Sequence, residues 1–262
     1  METGREIATA VMEYPHGVMD EYLPDGTKLE ADWALQHPQD YLDVMQQVIP
    51  SVLRQASIDP KDVIGIGVDF TACTILPIDN AGTPLCFTDE YHSQPHAYVK
   101  LWKHHAAQDE ANRLTQIAKD RGEKFLKRYG GKISSEWLVP KGWQIINEAP
   151  DIYDRADRFI EAGDWLILQL TGEEKRSSCS AGYKGLWHKQ EGYPSQEFFK
   201  ALDPRLENLV EEKLSSDIYP TGSKAGELTE AAAKLLGLNS GIPVAVAIID
   251  AHAAVPGTGI TE

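Results

Sequence analysis

Cysteine is scarce in this sequence. Three occur in 262 residues, Cys73, Cys86 and Cys179. Their spacing suits no metal knuckle and their odd number cannot all pair, so a disulfide scaffold is excluded and a reducing, cytoplasmic setting is expected. No apolar run is long enough to span a bilayer, and METGREIATA at the start lacks the apolar core of a secretory signal. Positive charge is also short. Twenty-five Lys and Arg face 40 Asp and Glu, a net charge of −15, so neither nucleic acid nor an anionic membrane is expected as a partner. The one basic stretch, Lys119 to Lys132, is diluted by Asp120 and Glu123 and reads as a solvated helix face. A GxxxxGK[ST] phosphate loop, a GxGxxG turn and a serine nucleophile elbow are all missing. No internal repeat is present, and composition does not choose between a monomer and a homo-oligomer.

What is present alternates between strand and helix patterns, which argues for an α/β fold with a mixed sheet flanked by helices. Ile7 to Tyr14 reads as a strand, and METGRE before it as the turn of a hairpin. Leu42, Met45, Val48, Ile49, Val52 and Leu53 recur at helical spacing, with a kink expected at Pro50. Val63 to Phe70 reads as a buried strand, continued by an extended Thr74 to Ile78 and a turn at Asp79–Gly82. Tyr98, Lys100, Trp102 and His104 would share one face of a strand. Helices are expected over Ala107–Tyr129 with a break near Gly122, over Lys141–Glu148, and over Gly163–Leu170 capped by Asp164 and stopped by Gly172. Ser177–Trp187 reads as extended. Thr229 to Gly237 is a short helix with Thr at its N-cap and Gly after its end.

The most informative segment is IPVAVAIIDAHAAVPGTG, residues 242–259. An apolar strand delivers Asp250 at its C-terminal end, and small residues follow where a helix can approach. Open α/β sheets place catalytic carboxylates this way. A base that takes a proton from an alcohol needs such a position; the plain alternative is a helix cap or a surface acid. Asp69-Phe70-Thr71-Ala72-Cys73 is a second strand end with small and polar residues, otherwise a simple bend. Trp102 offers an aromatic face for a sugar, otherwise core. Lys184, between Tyr183 and Gly185, is a solvated cation or a donor to a sugar oxygen. Asp69, His92, His104 and Asp250 would be the ligands of a metal-dependent hydrolase, although the adjacent His104 and His105 would point to opposite faces of a strand.

Taken together, EYPHGVMDEYLPDG, IGIGVDFTACTILPIDNAGTPLC, HAYVKLWKHHAAQ, YGGKISSEWLVPKGWQIINEAP, FIEAGDWLILQLTG, SAGYKGLWHK and IIDAHAAVPGTG resemble the FGGY carbohydrate kinases across essentially the whole chain. VDFTACT and AYVKLWKHHAAQ resemble the branch acting on L-ribulose rather than the xylulose or glycerol kinases. The resemblance implies a ribonuclease-H-like domain of the actin-like ATPase kind. It implies ATP and Mg²⁺, and phosphate transfer to the terminal hydroxyl of L-ribulose in arabinose catabolism. It places Asp250 on the catalytic base, Trp102 and Lys184 on sugar contacts, and Ala72 at the border of the sugar pocket with Asp69 and Thr71 beside it. It further implies that residues 1–262 form the N-terminal sugar-binding domain, cut at both ends, without the first phosphate-loop hairpin and without the C-terminal nucleotide domain. The chain alone is then expected to have little or no kinase activity. A kinase for another pentulose and a non-catalytic sugar-binding remnant are the alternatives.

Overall fold

The computed structural model describes residues 4–260. In chain order the elements begin with β1 (Leu35–Gln36), α1 (Pro38–Ala56), β2 (Asp69–Phe70), β3 (Ile75–Ile78), β4 (Val99–Lys100), α2 (Gln108–Arg121), α3 (Leu138–Glu148) and α4 (Pro150–Arg155). They continue with β5 (Arg158–Glu161), α5 (Ala162–Thr171), β6 (Arg176–Ser177), α6 (Ser178–Lys184) and α7 (Gln196–Leu202). Last come β7 (Ile218–Tyr219), β8 (Lys224–Glu227), α8 (Glu230–Leu236), β9 (Pro243–Ala245), β10 (Ile248–Ile249) and α9 (Asp250–Gly257).

Four strands form an antiparallel sheet in the order β1-β4-β3-β5. β3 is its spine, and all four of its residues are buried. Each large apolar side chain so enclosed contributes about 1.5–3 kcal/mol. On one side α2, α3 and α7 close the largest core, around Leu114, Trp143, Ile145, Phe198 and Phe199. A second core joins α5 and α8 to β8 and β9 through Ile167, Leu170, Ala233, Leu236 and Val244.

The helices follow their capping signals. α1 starts at His37, whose Nδ1 accepts from the Gln39 N–H at 3.2 Å, and Pro38 takes the first turn where no N–H is needed. Pro50 lies inside this helix. α8 has Thr229 at its N-cap and Gly237 in the left-handed region after its end, as its sequence predicts.

Several expectations are corrected. Ile7 to Tyr14 forms no strand; the alternation is present, but among the described residues no neighbour pairs with it, and Ile7 and Val11 are exposed. The METGRE turn lies partly outside the described residues. Val63–Phe70 is half-exposed rather than buried. Only Asp69–Phe70 is regular strand, with Ile66 bridged to Val244. The chain turns after Leu101, so Trp102 leaves the face on which Lys100 and His104 are buried. Asp164 is not a cap: α5 begins two residues earlier, and the Asp164 carboxylate accepts from the Ser177 N–H at 3.1 Å. Ser177–Trp187 is not extended, because Ser177 caps α6 by accepting from the Cys179 N–H.

β2 and β10 pair in parallel, with Ile248 opposite Asp69 and Ile249 opposite Phe70. α5 lies tight against this pair. A Cβ on Gly163 would sit 3.1 Å from the Phe70 Cβ and 3.3 Å from that of Ala247. Glycine there lets the helix support the two strands that end at the site.

Candidate active site

Two parallel strands ending side by side deliver the central residues. Beyond Phe70 the chain carries Thr71, and beyond Ile249 it carries Asp250, the first residue of α9. Asp250 is exposed, and its Oδ1 accepts from the Ala251 N–H at 2.6 Å. That bond orients the carboxylate at a helix start, where negative charge is favoured.

These strand ends border a cleft of about 520 Å³. Trp102, Phe70 and Tyr14 give it aromatic walls, and Asp69, Thr71, Gln36, Lys103 and Asp250 give it polar groups. Trp102 is 43% exposed. A large aromatic ring left open beside carboxylates and a hydroxyl suits a polyhydroxylated ligand, with C–H groups on the ring and hydroxyls on the polar side. Thr71 Oγ1 lies 2.6 Å from Thr74 Oγ1, which fixes its rotamer.

Ala72 is buried directly below. With Cys73 and Ile249 it forms a small apolar cluster against which Trp137 and Cys179 pack. Trp137 and Cys179 also line a second hollow of about 490 Å³. Lys184 opens onto that hollow, together with Tyr183, Trp187 and His252. Its Nζ donates to Glu136 Oε2 at 3.1 Å. Burial works against the Lys184 charge, but the Cys73 thiol and the Glu136 carboxylate outweigh it and raise the pKa.

The structure therefore gathers Asp69, Thr71, Trp102 and Asp250 in one cleft, with Ala72 beneath. Lys184 lies across the Ala72–Ile249 contact, in the adjoining hollow. The hydrolase cluster is not assembled. His104 is fully enclosed and bonded to Gln144 at 3.0 Å, and burial, then the Lys100 charge, lower its pKa. His92 is exposed and turns to the Asp89 carbonyl. Among the described residues the one group of three close donors is His16, His37 and Asp40.

Sequence reasoning missed Glu136, Tyr14 and His252, which are distant in the chain or inconspicuous in type. It also missed Lys141, whose signal was a lone cation within the apolar run LVPKGWQII.

The comparisons with known proteins agree on a family. The model for the N-terminal domain of the FGGY family of carbohydrate kinases matches residues 23–257. A ribulokinase of Geobacillus thermodenitrificans is 60% identical over 260 residues, 99% of this chain and 46% of that protein. One of Bacillus licheniformis is 61% identical over 263 residues, covering 100% of this chain and 48% of that protein. The chain thus spans about half the length of the curated relatives it matches. Among solved structures, a xylulose kinase from Rhodospirillum rubrum superposes with a TM-score of 0.70 at 22% identity, over 90% of this chain and 45% of that one. A ligand-bound xylulose kinase from Lactobacillus acidophilus gives 0.67 at 16% identity, over 88% of this chain and 43% of that one. At such identities the likeness concerns the fold, which is that of the carbohydrate kinases.

Proposed function

The chain belongs to the FGGY family of carbohydrate kinases, and on that premise we propose that it forms the sugar-holding half of an ATP-dependent kinase that phosphorylates the terminal hydroxyl of L-ribulose. One observation carries the reading: Trp102, Asp69, Thr71 and Asp250 meet in a single open cleft at the ends of two parallel strands. The relatives named ribulokinase, near 60% identity, favour L-ribulose over other pentuloses.

In this reading the sugar lies with its carbon face on Trp102. Asp69 and Thr71 accept from or donate to its hydroxyls, and Ala72 brings backbone close to it. Asp250 takes the proton of the hydroxyl that receives the phosphoryl group, which requires hydrogen-bond reach to that oxygen. Lys184, held by Glu136, closes the far side from the adjoining hollow.

The family implies ATP and Mg²⁺, but the described residues do not form a site for either. Mg²⁺ favours a set of oxygen donors, whereas the three close donors among the described residues include the imidazoles of His16 and His37, which suit a transition metal. Lys103 is the one cation lining the cleft among the described residues, too little to cradle a triphosphate. What falls to this half is to bind the sugar, orient its hydroxyl and accept a proton.

Calorimetric titration of the chain with L-ribulose, D-ribulose, D-xylulose and L-arabinose tests the proposal. Saturable one-to-one binding strongest for L-ribulose supports it. Stronger binding of another pentulose transfers the assignment to that sugar, and no binding of any of the four removes the reading.

A further inference from the structure

The cleft is framed by two turns that come from different strands, and a single buried cation ties them together. Lys141, at the end of the first turn of α3, is fully enclosed. Its Nζ donates to the Cys73 carbonyl at 2.5 Å, to the Leu101 carbonyl at 2.8 Å and to the Lys100 carbonyl at 3.3 Å. An ammonium has three N–H groups, and all three are used. Cys73 follows Thr71 and Ala72 on one side of the cleft, and Leu101 precedes Trp102 on the other.

The Cys73 turn needs holding. Its φ is +58°, a left-handed conformation that is strained for a non-glycine residue. Lys141 grips its carbonyl end, while Glu161, at the end of β5, accepts from the Thr74 N–H at 3.1 Å. Glu161 is also almost fully enclosed. A strained turn is thus clamped between a buried cation and a buried carboxylate. Around Lys141 lie Glu161, Cys73, Glu136, Lys184 and Lys100. Burial pushes the Lys141 pKa down and the Glu161 pKa up, and the attraction between the two groups opposes both shifts.

We infer that Lys141, backed by Glu161, is a positioning residue for sugar binding: it locks the Thr71–Ala72–Cys73 turn to the Leu101–Trp102 turn and so fixes the distance between the aromatic platform and the polar wall of the cleft. The inference rests on the sugar-cleft reading above and names a residue that touches no ligand. A buried charge with three partners is costly to leave half-satisfied, so the arrangement is all or nothing.

The test is Lys141→Met, which keeps length and volume and removes every donor. Three quantities are read on the 262-residue chain: L-ribulose affinity by calorimetry, the thermal transition, and peptide-resolved iodoacetamide labelling of Cys73 against Cys86, both buried thiols. The expected result is a cooperative transition retained, affinity lowered at least about tenfold, and Cys73 labelled at least about tenfold faster with Cys86 unchanged. An affinity within about twofold of the parent with Cys73 still protected overturns the inference. So does equal acceleration at both cysteines, which marks general loosening. If the parent chain binds no L-ribulose, the sugar reading fails by itself, and the labelling ratio still decides whether Lys141 locks the turn. Should Lys141→Met not fold, Glu161→Leu, which removes the acceptor of the Thr74 N–H, takes its place. There a Cys73-to-Cys86 labelling ratio raised at least about threefold supports the clamp, and an unchanged ratio overturns it.

Discussion

Ile249 stands opposite Phe70 in the parallel β2–β10 pair. The residues that follow, Asp250 and Thr71, therefore emerge at the same end of the same ladder. A one-residue slip of this register would turn every side chain of β10 to the opposite face and take Asp250 out of the cleft. The geometry of the proposed site is a consequence of that pairing.

Asp250→Asn removes the proton acceptor and keeps a hydrogen-bonding side chain of the same size. In a full-length kinase carrying this segment, phosphorylation of L-ribulose falls on the order of a hundredfold or more, while the sugar affinity of the chain changes less than about threefold. Steady-state kinetics beside calorimetry check both halves. A variant with parental turnover removes Asp250 from the chemistry.

Trp102→Ala deletes the aromatic platform without opening a core, since the indole is already 43% exposed. The thermal transition is expected within a degree or two of the parent, and sugar affinity is expected to fall about tenfold. Trp102→Phe should recover part of the loss. A large drop in stability would show that the ring is a core element instead.

Gly163→Val tests the packing beneath the site. The new side chain meets Phe70 and Ala247 at less than ordinary contact distance. Forcing the helix off the strand pair costs about 1–3 kcal/mol. Urea unfolding measures it, and the same midpoint as the parent contradicts the close packing described here.

Asp164 gives a pH dependence with a defined sign. Burial pushes its carboxyl up to about 7, although the Arg176 charge opposes the shift. The unfolded chain ionises it near 4, its ordinary value. Between about 4 and about 7 the folded chain holds a proton that the unfolded chain has released, so this group's contribution to stability falls as pH rises through that window and is level above it. Asp164→Asn keeps an oxygen for the Ser177 N–H and abolishes the titration. Melting curves at about pH 5 and about pH 8 should show the variant gaining on the parent by several degrees at the higher pH. A constant difference contradicts the assignment.

The chain by itself is expected to release ADP from ATP no faster with L-ribulose than without it. Its cleft supplies one cation among the described residues and its sequence no phosphate loop. A coupled ADP assay on the purified chain checks this, and an L-ribulose-dependent rate normal for kinases, about 1–100 per second, contradicts it.

The parts of the fold legible in the sequence were those set by local chemistry. The 3.6-residue spacing of Leu42, Met45 and Ile49 and the Thr229 and Gly237 caps marked helices that the structure contains. The short strands were less legible. Val63–Phe70 is apolar enough to read as buried, but its glycines and its sparse pairing leave it half-exposed. Trp102 was singled out for its aromatic face, yet the turn after Leu101 that frees it from the sheet has no strong local signal. In α6 the Ser177 cap was present in the sequence and was outweighed by the polar, glycine-bearing run that follows. Which residues meet was beyond local reading. The Lys141 grip on Cys73 and Leu101, spanning 68 and 40 positions, depends on the packing of α3 beneath two strands. The same holds for the Lys184–Glu136 pair, which sets Lys184 in the adjoining hollow.

A crystal structure of the chain soaked with L-ribulose tests the central claim most directly. The account predicts sugar density in the cleft against the Trp102 indole, with a terminal hydroxyl about 2.6–3.2 Å from the Asp250 carboxylate. Density confined to another surface, or a sugar whose hydroxyls all lie beyond reach of Asp250, would contradict it.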